Sequence, residues 1–234
     1  QMNKGEHIGL VGANGEGKTT FLNIITGAIT PDNGKVEWCK RITTGYLDQY
    51  AKLTKGLTIR EFLKTAFAHM YDLEAEMYKM YEKMGEASEE EMALMLEDIG
   101  EIQSELESSG FYTLDSKIEE VGNGLGLGDI GFDKDVTELS GGQKQRCVIA
   151  RALAFEPEIL ACDEPTGNLD SETGAEIMKL IAKIAHDKLV LVVTHNYEEV
   201  EPYATRKLTI VDGTLYEDKI LREVPCDDEK RFLI

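Results

Sequence analysis

Eight consecutive residues near the start of the chain, Gly12-Ala13-Asn14-Gly15-Glu16-Gly17-Lys18-Thr19, have the spacing G-x-x-x-x-G-K-[ST]. The chemistry open to that spacing is the binding of a phosphate chain. Glycines let successive backbone N–H groups turn inward around an oxyanion, and a helix opening at Lys18 adds the positive end of its dipole. Lys18 can reach the β- and γ-phosphates of a nucleotide, and the hydroxyl of Thr19, with Thr20 beside it, can ligate Mg²⁺. The run Ile8-Gly9-Leu10-Val11 reads as a buried strand feeding the loop, which is the setting the motif requires. A second candidate lies far downstream. Glu158-Ile159-Leu160-Ala161-Cys162-Asp163-Glu164 is an apolar strand that delivers two adjacent carboxylates at its end. Asp163 suits Mg²⁺, commonly through water, and Glu164 suits the attacking water as general base. Cys162 reads as a small core residue.

Between these motifs, Leu139-Ser140-Gly141-Gly142-Gln143 opens a helix. With it the chain resembles the ATP-binding cassette (ABC) ATPase family along nearly its whole length. Other positions fall into that family's order: Gln49 in Tyr46-Leu47-Asp48-Gln49 matches the Q-loop, Asn168-Leu169-Asp170 the D-loop, and His195 in Val193-Thr194-His195 the switch histidine. The resemblance implies ATP and Mg²⁺ as cofactors. It makes Gln49 a sensor near Mg²⁺ and the attacking water, and His195 a hydrogen-bond partner of the γ-phosphate, beside Lys18 and Glu164 in the catalytic set. Thr19, Gln49 and Asp163 would form the metal set. Ser140, Gly141, Gly142, Gln143 and Asp170 would meet the nucleotide of a second cassette, a homodimer or tandem partner. A helix N-terminus preceded by Ser-Gly-Gly is itself an anion site, and one triphosphate already occupies the first. Two cassettes arranged head to tail use both sites, so ATP closes the pair and hydrolysis reopens it.

The sequence also departs from the family. An aromatic residue upstream of the phosphate loop stacks on adenine in ABC ATPases, and this sequence begins after that point, so it reads as N-terminally truncated. From Gly5 to about Leu139 it resembles the F-type branch, whose cassettes act on ribosomes and whose first cassette carries a helical arm. From Gln143 onward, including Asp163-Glu164-Pro165-Thr166-Gly167-Asn168-Leu169-Asp170, it resembles cassettes of lipoprotein-release and macrolide-export transporters. F-type cassettes usually have Asn-His where this chain has Gly167-Asn168.

The elements that must position these residues alternate between strand and helix. Helices are expected from Lys18 to about Thr26, from near Thr58, from about Gly142 to Phe155 and from about Ser171 to Ala185. Strands are expected near Lys35 to Trp38, at Thr44 to Leu47, at Ile159 to Cys162 and at Leu189 to Val193. Lys207 to Val211 and Thr214 to Glu217 flank Asp212-Gly213 as a β-hairpin. The alternation gives an α/β fold with a largely parallel sheet, and the resemblance makes that sheet a P-loop NTPase core. The chain is taken as a single nucleotide-binding domain over 1–234. Within it, 57–155 forms a helical subdomain and 156–234 the second part of the ATPase core.

Residues 70–107 differ from their surroundings. They hold 13 acidic residues against Lys79 and Lys83, a net charge of −11, and six of the eight methionines. Apolar residues fall at Met70, Leu73, Met77, Met80 and Met84, then at Met92, Met95, Ile99, Ile102 and Leu106, steps of three and four that mark two helices. Gly85 interrupts the pattern, and Ser88 with Glu91 forms a capping box for the second helix. An antiparallel helical hairpin follows, with arms about 20 Å long at ~1.5 Å per residue and the methionines as its seam.

Charge bounds the partners. The 234 residues carry 25 Lys+Arg against 44 Asp+Glu, net −19, which argues against a surface that grips nucleic acid and against direct sequence-specific binding to it. No apolar run reaches the ~18 to 20 residues of a membrane span. The four cysteines lack C-x-x-C spacing, so a reducing, cytoplasmic setting is expected, with association to ribosome or membrane through a partner. Three functions compete: an F-type ATPase acting on the ribosome, slightly favoured by the arm; the motor subunit of a membrane permease; and a catalytically silent, nucleotide-dependent interaction module.

Overall fold

The computed structural model describes residues 2–37, 42–47, 53–167, 169–223 and 231–232. Six strands form the main sheet: β2 (His7–Val11), β3 (Thr44–Leu47), β4 (Ile159–Asp163), β5 (Leu189–Thr194), β6 (Arg206–Val211) and β7 (Thr214–Ile220), in the order β3-β4-β5-β2-β6-β7. All neighbours are parallel except β6 and β7. That pair is the expected hairpin, and Asp212 and Gly213 both take positive φ at its turn. A separate antiparallel pair joins β1 (Met2–Asn3) to β8 (Arg231–Phe232).

Both faces of the parallel sheet are covered, so its central strands are apolar throughout. Alternate residues divide between two cores. Ile8, Leu10, Ile159, Ala161, Leu191 and Val193 pack with Leu22 and Ile25 of α1 (Lys18–Ile25). Leu160, Cys162, Val190 and Val192 point the other way, toward Cys147, Val148 and Ile149 of α6 (Gly141–Leu153) and Ile177 and Ile181 of α7 (Ser171–Ile184). Burial pushes the Cys147 thiol up to about 12 and raises that of Cys162, so both sulfurs behave as core groups.

The second core continues into the helical part. It takes in Ile59, Phe62 and Leu63 of α2 (Ile59–Lys64), Leu114 and Ile118 of α5 (Leu114–Gly124), and Phe67, Phe111 and Leu127. Thr58 begins α2 with a reciprocal capping box to Glu61. Between α2 and α5 stands the hairpin of α3 (Ala68–Lys83) and α4 (Glu89–Ser108), and the Ser88–Glu91 capping box forms as expected. Met77, Ile99 and Leu106 are buried and the other positions of the apolar series are partly buried, so the series is the seam. At 16 and 20 residues the arms are about 24 and 30 Å long, more than expected. The first turn of α4 is Glu89, Glu90 and Glu91, good helix formers that leave no apolar mark.

One expected strand is not found among the described residues. Residues 35–37 carry no strand assignment and are mostly exposed, Lys35 pairing locally with Glu37; Trp38 lies outside the described residues. The spacing of Val36 and Trp38 imitates alternation, but 35–37 take no place in either sheet's ladder.

Candidate functional site

The loop after β2 turns because its glycines allow it. Gly15 and Gly17 take φ of 90° and 88°, and Gly17 is the N-cap of α1. A Cβ on Gly12 would stand 2.6 Å from the carbonyl oxygen of Ile210, so the loop lies against β6. Glu16 reaches across to accept a hydrogen bond from the backbone N–H of Asp212 at the hairpin turn. Lys18, only 6% exposed, donates from Nζ to the Ala13 carbonyl at 2.9 Å. Its ammonium is thereby held across the mouth of the loop.

The second motif arrives on β4. Asp163, 8% exposed, accepts a 3.0 Å hydrogen bond at Oδ2 from Oγ1 of Thr19. Glu164 leaves the strand with φ of 44°, an unfavourable conformation for a residue with a side chain, and its N–H is held by the Val193 carbonyl at 2.9 Å. That turn aims its carboxylate at His195, whose Nδ1 lies 3.0 Å from Oε1. A ring N–H donating to the carboxylate satisfies the geometry. Asn14, Gly15, Gly17, Lys18, Thr19, Thr20, Asp163 and Glu164 line one cleft of about 380 Å³. Thr19 and Asp163 present hard oxygens of the kind Mg²⁺ takes when phosphate and water complete its shell, so the donor set fits that ion.

A second cleft, about 470 Å³, is lined by Ser140, Gly141, Gly142, Gln143, Leu169 and Asp170, together with Arg146, Thr173 and Glu176. It opens at the N-termini of α6 and α7, and both are capped. Ser140 accepts from the Gln143 N–H at 3.3 Å, and the Gln143 side chain accepts from the Ser140 N–H at 3.0 Å. Asp170 accepts from the Thr173 N–H at 3.0 Å and its hydroxyl at 2.8 Å. Those bonds hold the Asp170 carboxyl below the usual carboxylate range. The helix ends fit closely, since a Cβ on Gly142 would stand 2.7 Å from Cγ2 of Thr173.

The sequence-derived residues thus fall into two groups on one chain. Among the described residues, none lines both clefts. Gln49 and Asn168 lie outside the described residues. Arg146, which donates to the Leu125 carbonyl at 3.1 Å and to Glu176 at 3.3 Å, escaped the sequence reading. Its signal was its place one helical turn beyond Gly142, on the same face of α6.

A family model described as ABC transporter matches residues 1–167. The chain belongs to the ABC transporter family. Among curated relatives, this cassette is 54% identical over 169 residues to the uncharacterized ABC transporter ATP-binding protein YfmM of Bacillus subtilis (strain 168), covering 72% of this chain and 33% of that one. It is 30% identical over 210 residues to ABC transporter F family member 5 of Arabidopsis thaliana, covering 88% and 30%. The cassette therefore spans about a third of the length of these relatives. Among solved structures, a dimeric bacterial ABC transporter cassette matches with 27% identity and TM-score 0.64, over 96% of this chain and 89% of that one. A dimeric post-hydrolysis cassette bound to ADP and phosphate matches with 26% identity and TM-score 0.63, over the same shares. ABC cassettes are ATPases, and no helix among the described residues is long and apolar enough to cross a membrane.

Proposed function

We propose that this cassette hydrolyses ATP to ADP and phosphate with Mg²⁺, in a site completed by a second cassette. The observation that carries this reading is the meeting of Thr19 with Asp163 and of Glu164 with His195 beside the loop that holds Lys18. Loop N–H groups and the N-terminus of α1 bind the phosphate oxygens. Lys18 exchanges the Ala13 carbonyl for the β- and γ-phosphates, a stronger charge-assisted contact. Thr19 and Asp163 would hold Mg²⁺, which neutralises charge on the β- and γ-oxygens when bound. Glu164 takes a proton from the attacking water as that water adds to the γ-phosphorus and ADP leaves. His195 fixes the Glu164 carboxylate and reaches the γ-phosphate. Gln49 senses the same water. Ser140 to Gln143 and Asp170 act on the other cassette's ATP, with the N-terminus of α6 as the second anion site. The helical subdomain over 57–155 moves as one unit between open and closed pairs.

The work done by this switch is proposed to be on the ribosome, in the cytoplasm. The long hairpin of α3 and α4 supports an F-type role, as do relatives named as F family members and as the energy-dependent translational throttle protein EttA of Mycobacterium tuberculosis, 29% identical over 212 residues. The competing reading, a motor docked on a membrane permease, draws on the methionine import ATP-binding protein MetN of Carboxydothermus hydrogenoformans, 30% identical over 229 residues and 96% of this chain. Fractionating lysate that contains Glu164→Gln with added ATP tests the two. Enrichment with ribosomes is expected. Enrichment with membranes overturns the ribosomal role in favour of the permease.

A further inference from the structure

Glu199 lies on the short helix α8 (Tyr197–Val200), outside both clefts, and nothing in the hydrolytic reading uses it. Its two carboxylate oxygens are divided between two loops. Oε2 accepts a 2.6 Å hydrogen bond from Oγ1 of Thr166, and Oε1 accepts a 2.7 Å hydrogen bond from Nδ2 of Asn196. Thr166 is two residues beyond Glu164, and Asn196 is one residue beyond His195. We propose that Glu199 is a positioning residue that ties the loop carrying Glu164 and Asp170 to the loop carrying His195, so that displacement at Asp170 is transmitted to the Glu164–His195 pair.

The bridge has a fixed side. α8 rests on the sheet through Tyr197, whose ring lies 3.1 Å from where a Cβ on Gly9 would stand in β2, and Lys207 of β6 places Nζ 4.8 Å from the ring centroid. Asn196 is further held by its N–H donating to the Thr194 hydroxyl at 2.9 Å and by that hydroxyl donating back to its carbonyl at 3.2 Å. The other side is a chain of tight turns leading to the second cleft. Gly167 N–H donates to the Glu164 carbonyl at 3.1 Å, and Leu169 N–H donates to the Thr166 carbonyl at 3.0 Å, immediately before Asp170. Thr166 is 9% exposed, and Gly174 in the first turn of α7 lets that helix close over the bridge: a Cβ there would stand 3.4 Å from Cβ of Thr166 and 3.8 Å from Oε2 of Glu199. A buried hydroxyl and an amide share one carboxylate, so losing the carboxylate strands both donors.

The consequence for turnover rests on the hydrolytic reading above; the bridge itself does not. Two readouts on the full chain keep them apart. Hydrogen exchange is measured on peptides covering 164–170 and 194–200 in wild type and Glu199→Ala. Faster exchange in both segments is expected, and a rise confined to 194–200 overturns the bridge whether or not ATP is turned over. Steady-state phosphate release is measured beside it. Glu199→Ala is expected to lower kcat about tenfold or more with the KM for ATP within about threefold, because Glu199 positions the reacting groups without binding nucleotide. Glu199→Gln, whose carboxamide can bond both partners, is expected to keep kcat within about threefold of wild type. Thr166→Val should match the Ala variant, and the double variant should be no worse than either single one. A kcat for Glu199→Ala within about twofold of wild type overturns the transmission role, as do losses that multiply in the double variant. A wild type with no Glu164-dependent turnover overturns the hydrolytic reading and the transmission role with it, and leaves the exchange result to judge the bridge.

Discussion

Thr19 and Asp163, 144 positions apart in the chain, are joined by a 3.0 Å hydrogen bond from hydroxyl to carboxylate. The bond closes the distance between the first turn of α1 and the end of β4, and it sets two hard oxygens where a divalent ion and a phosphate chain would meet. Because β4 and β2 flank β5 in the same parallel sheet, the relationship is fixed by strand order and register. Local loop structure alone does not set it.

Lys18 donates to the neutral Ala13 carbonyl, and in the proposed site the charged phosphates of ATP would take that carbonyl's place as the stronger acceptor. Lys18→Ala is therefore expected to weaken ATP binding by about 1.5–3 kcal/mol, or roughly ten- to a hundredfold. Titration with a fluorescent ATP analogue checks it, and unchanged affinity contradicts the assigned role.

Gly142→Ala places a methyl group 2.7 Å from Cγ2 of Thr173. Overpacking of this kind costs about 1–3 kcal/mol and pushes α6 away from the Asp170 turn. Thr173→Ser removes the offending methyl and keeps the hydroxyl that Asp170 accepts from. The double variant should recover most of the unfolding midpoint that Gly142→Ala loses in urea; no recovery would place the cost elsewhere.

Burial lowers the pKa of His7 below 6.5, against the opposing effect of its hydrogen bond to the Ala185 carbonyl at 3.1 Å, and His186 lowers it further. A histidine with a depressed folded pKa binds its proton more readily in the unfolded chain. Its contribution is therefore complete above about pH 6.5 and is lost as pH falls through the folded pKa, with a slope of at most about 1.4 kcal/mol per pH unit. His7→Gln keeps a donor toward Ala185 and does not titrate. Urea unfolding of both proteins between pH 7.5 and pH 5, a range set by the ordinary histidine pKa of ~6.5, should show the wild type losing more stability; parallel curves refute the assignment.

Among the described residues the buried Tyr197 hydroxyl has no hydrogen-bond partner, while its ring packs on Gly9. Removing the hydroxyl removes an uncompensated desolvation cost. Tyr197→Phe should raise stability by about 1 kcal/mol, measured by urea unfolding, and a loss of that size would mean the hydroxyl has a partner.

The legible parts of the molecule were those where one local rule decides. The phosphate loop needs glycines at fixed offsets, so Gly15 and Gly17 announce it; β4 and β5 are apolar at every central position because both their faces are buried; and the seam from Met70 to Leu106 follows the helical repeat because only its inner side packs. Where tertiary context decides, the sequence was silent. Val36 and Trp38 have the spacing of a strand, but the segment 35–37 takes no place in the ladder. α4 begins at Glu89, three residues before its first apolar marker Met92, because Glu extends a helix without a visible period. Glu199 is one of two adjacent glutamates after Asn196, and nothing in the chain distinguishes it from Glu198 until the fold brings Thr166 beside it.

The central claim is that Glu164, held by His195, is the base for hydrolysis of ATP. Phosphate release by wild type and Glu164→Gln in the presence of Mg²⁺, with ATP affinity measured beside it, tests this most directly. The account predicts turnover by wild type, a loss of about a hundredfold or more in the variant, and ATP affinity within about threefold. A variant that releases phosphate at the wild-type rate would contradict it.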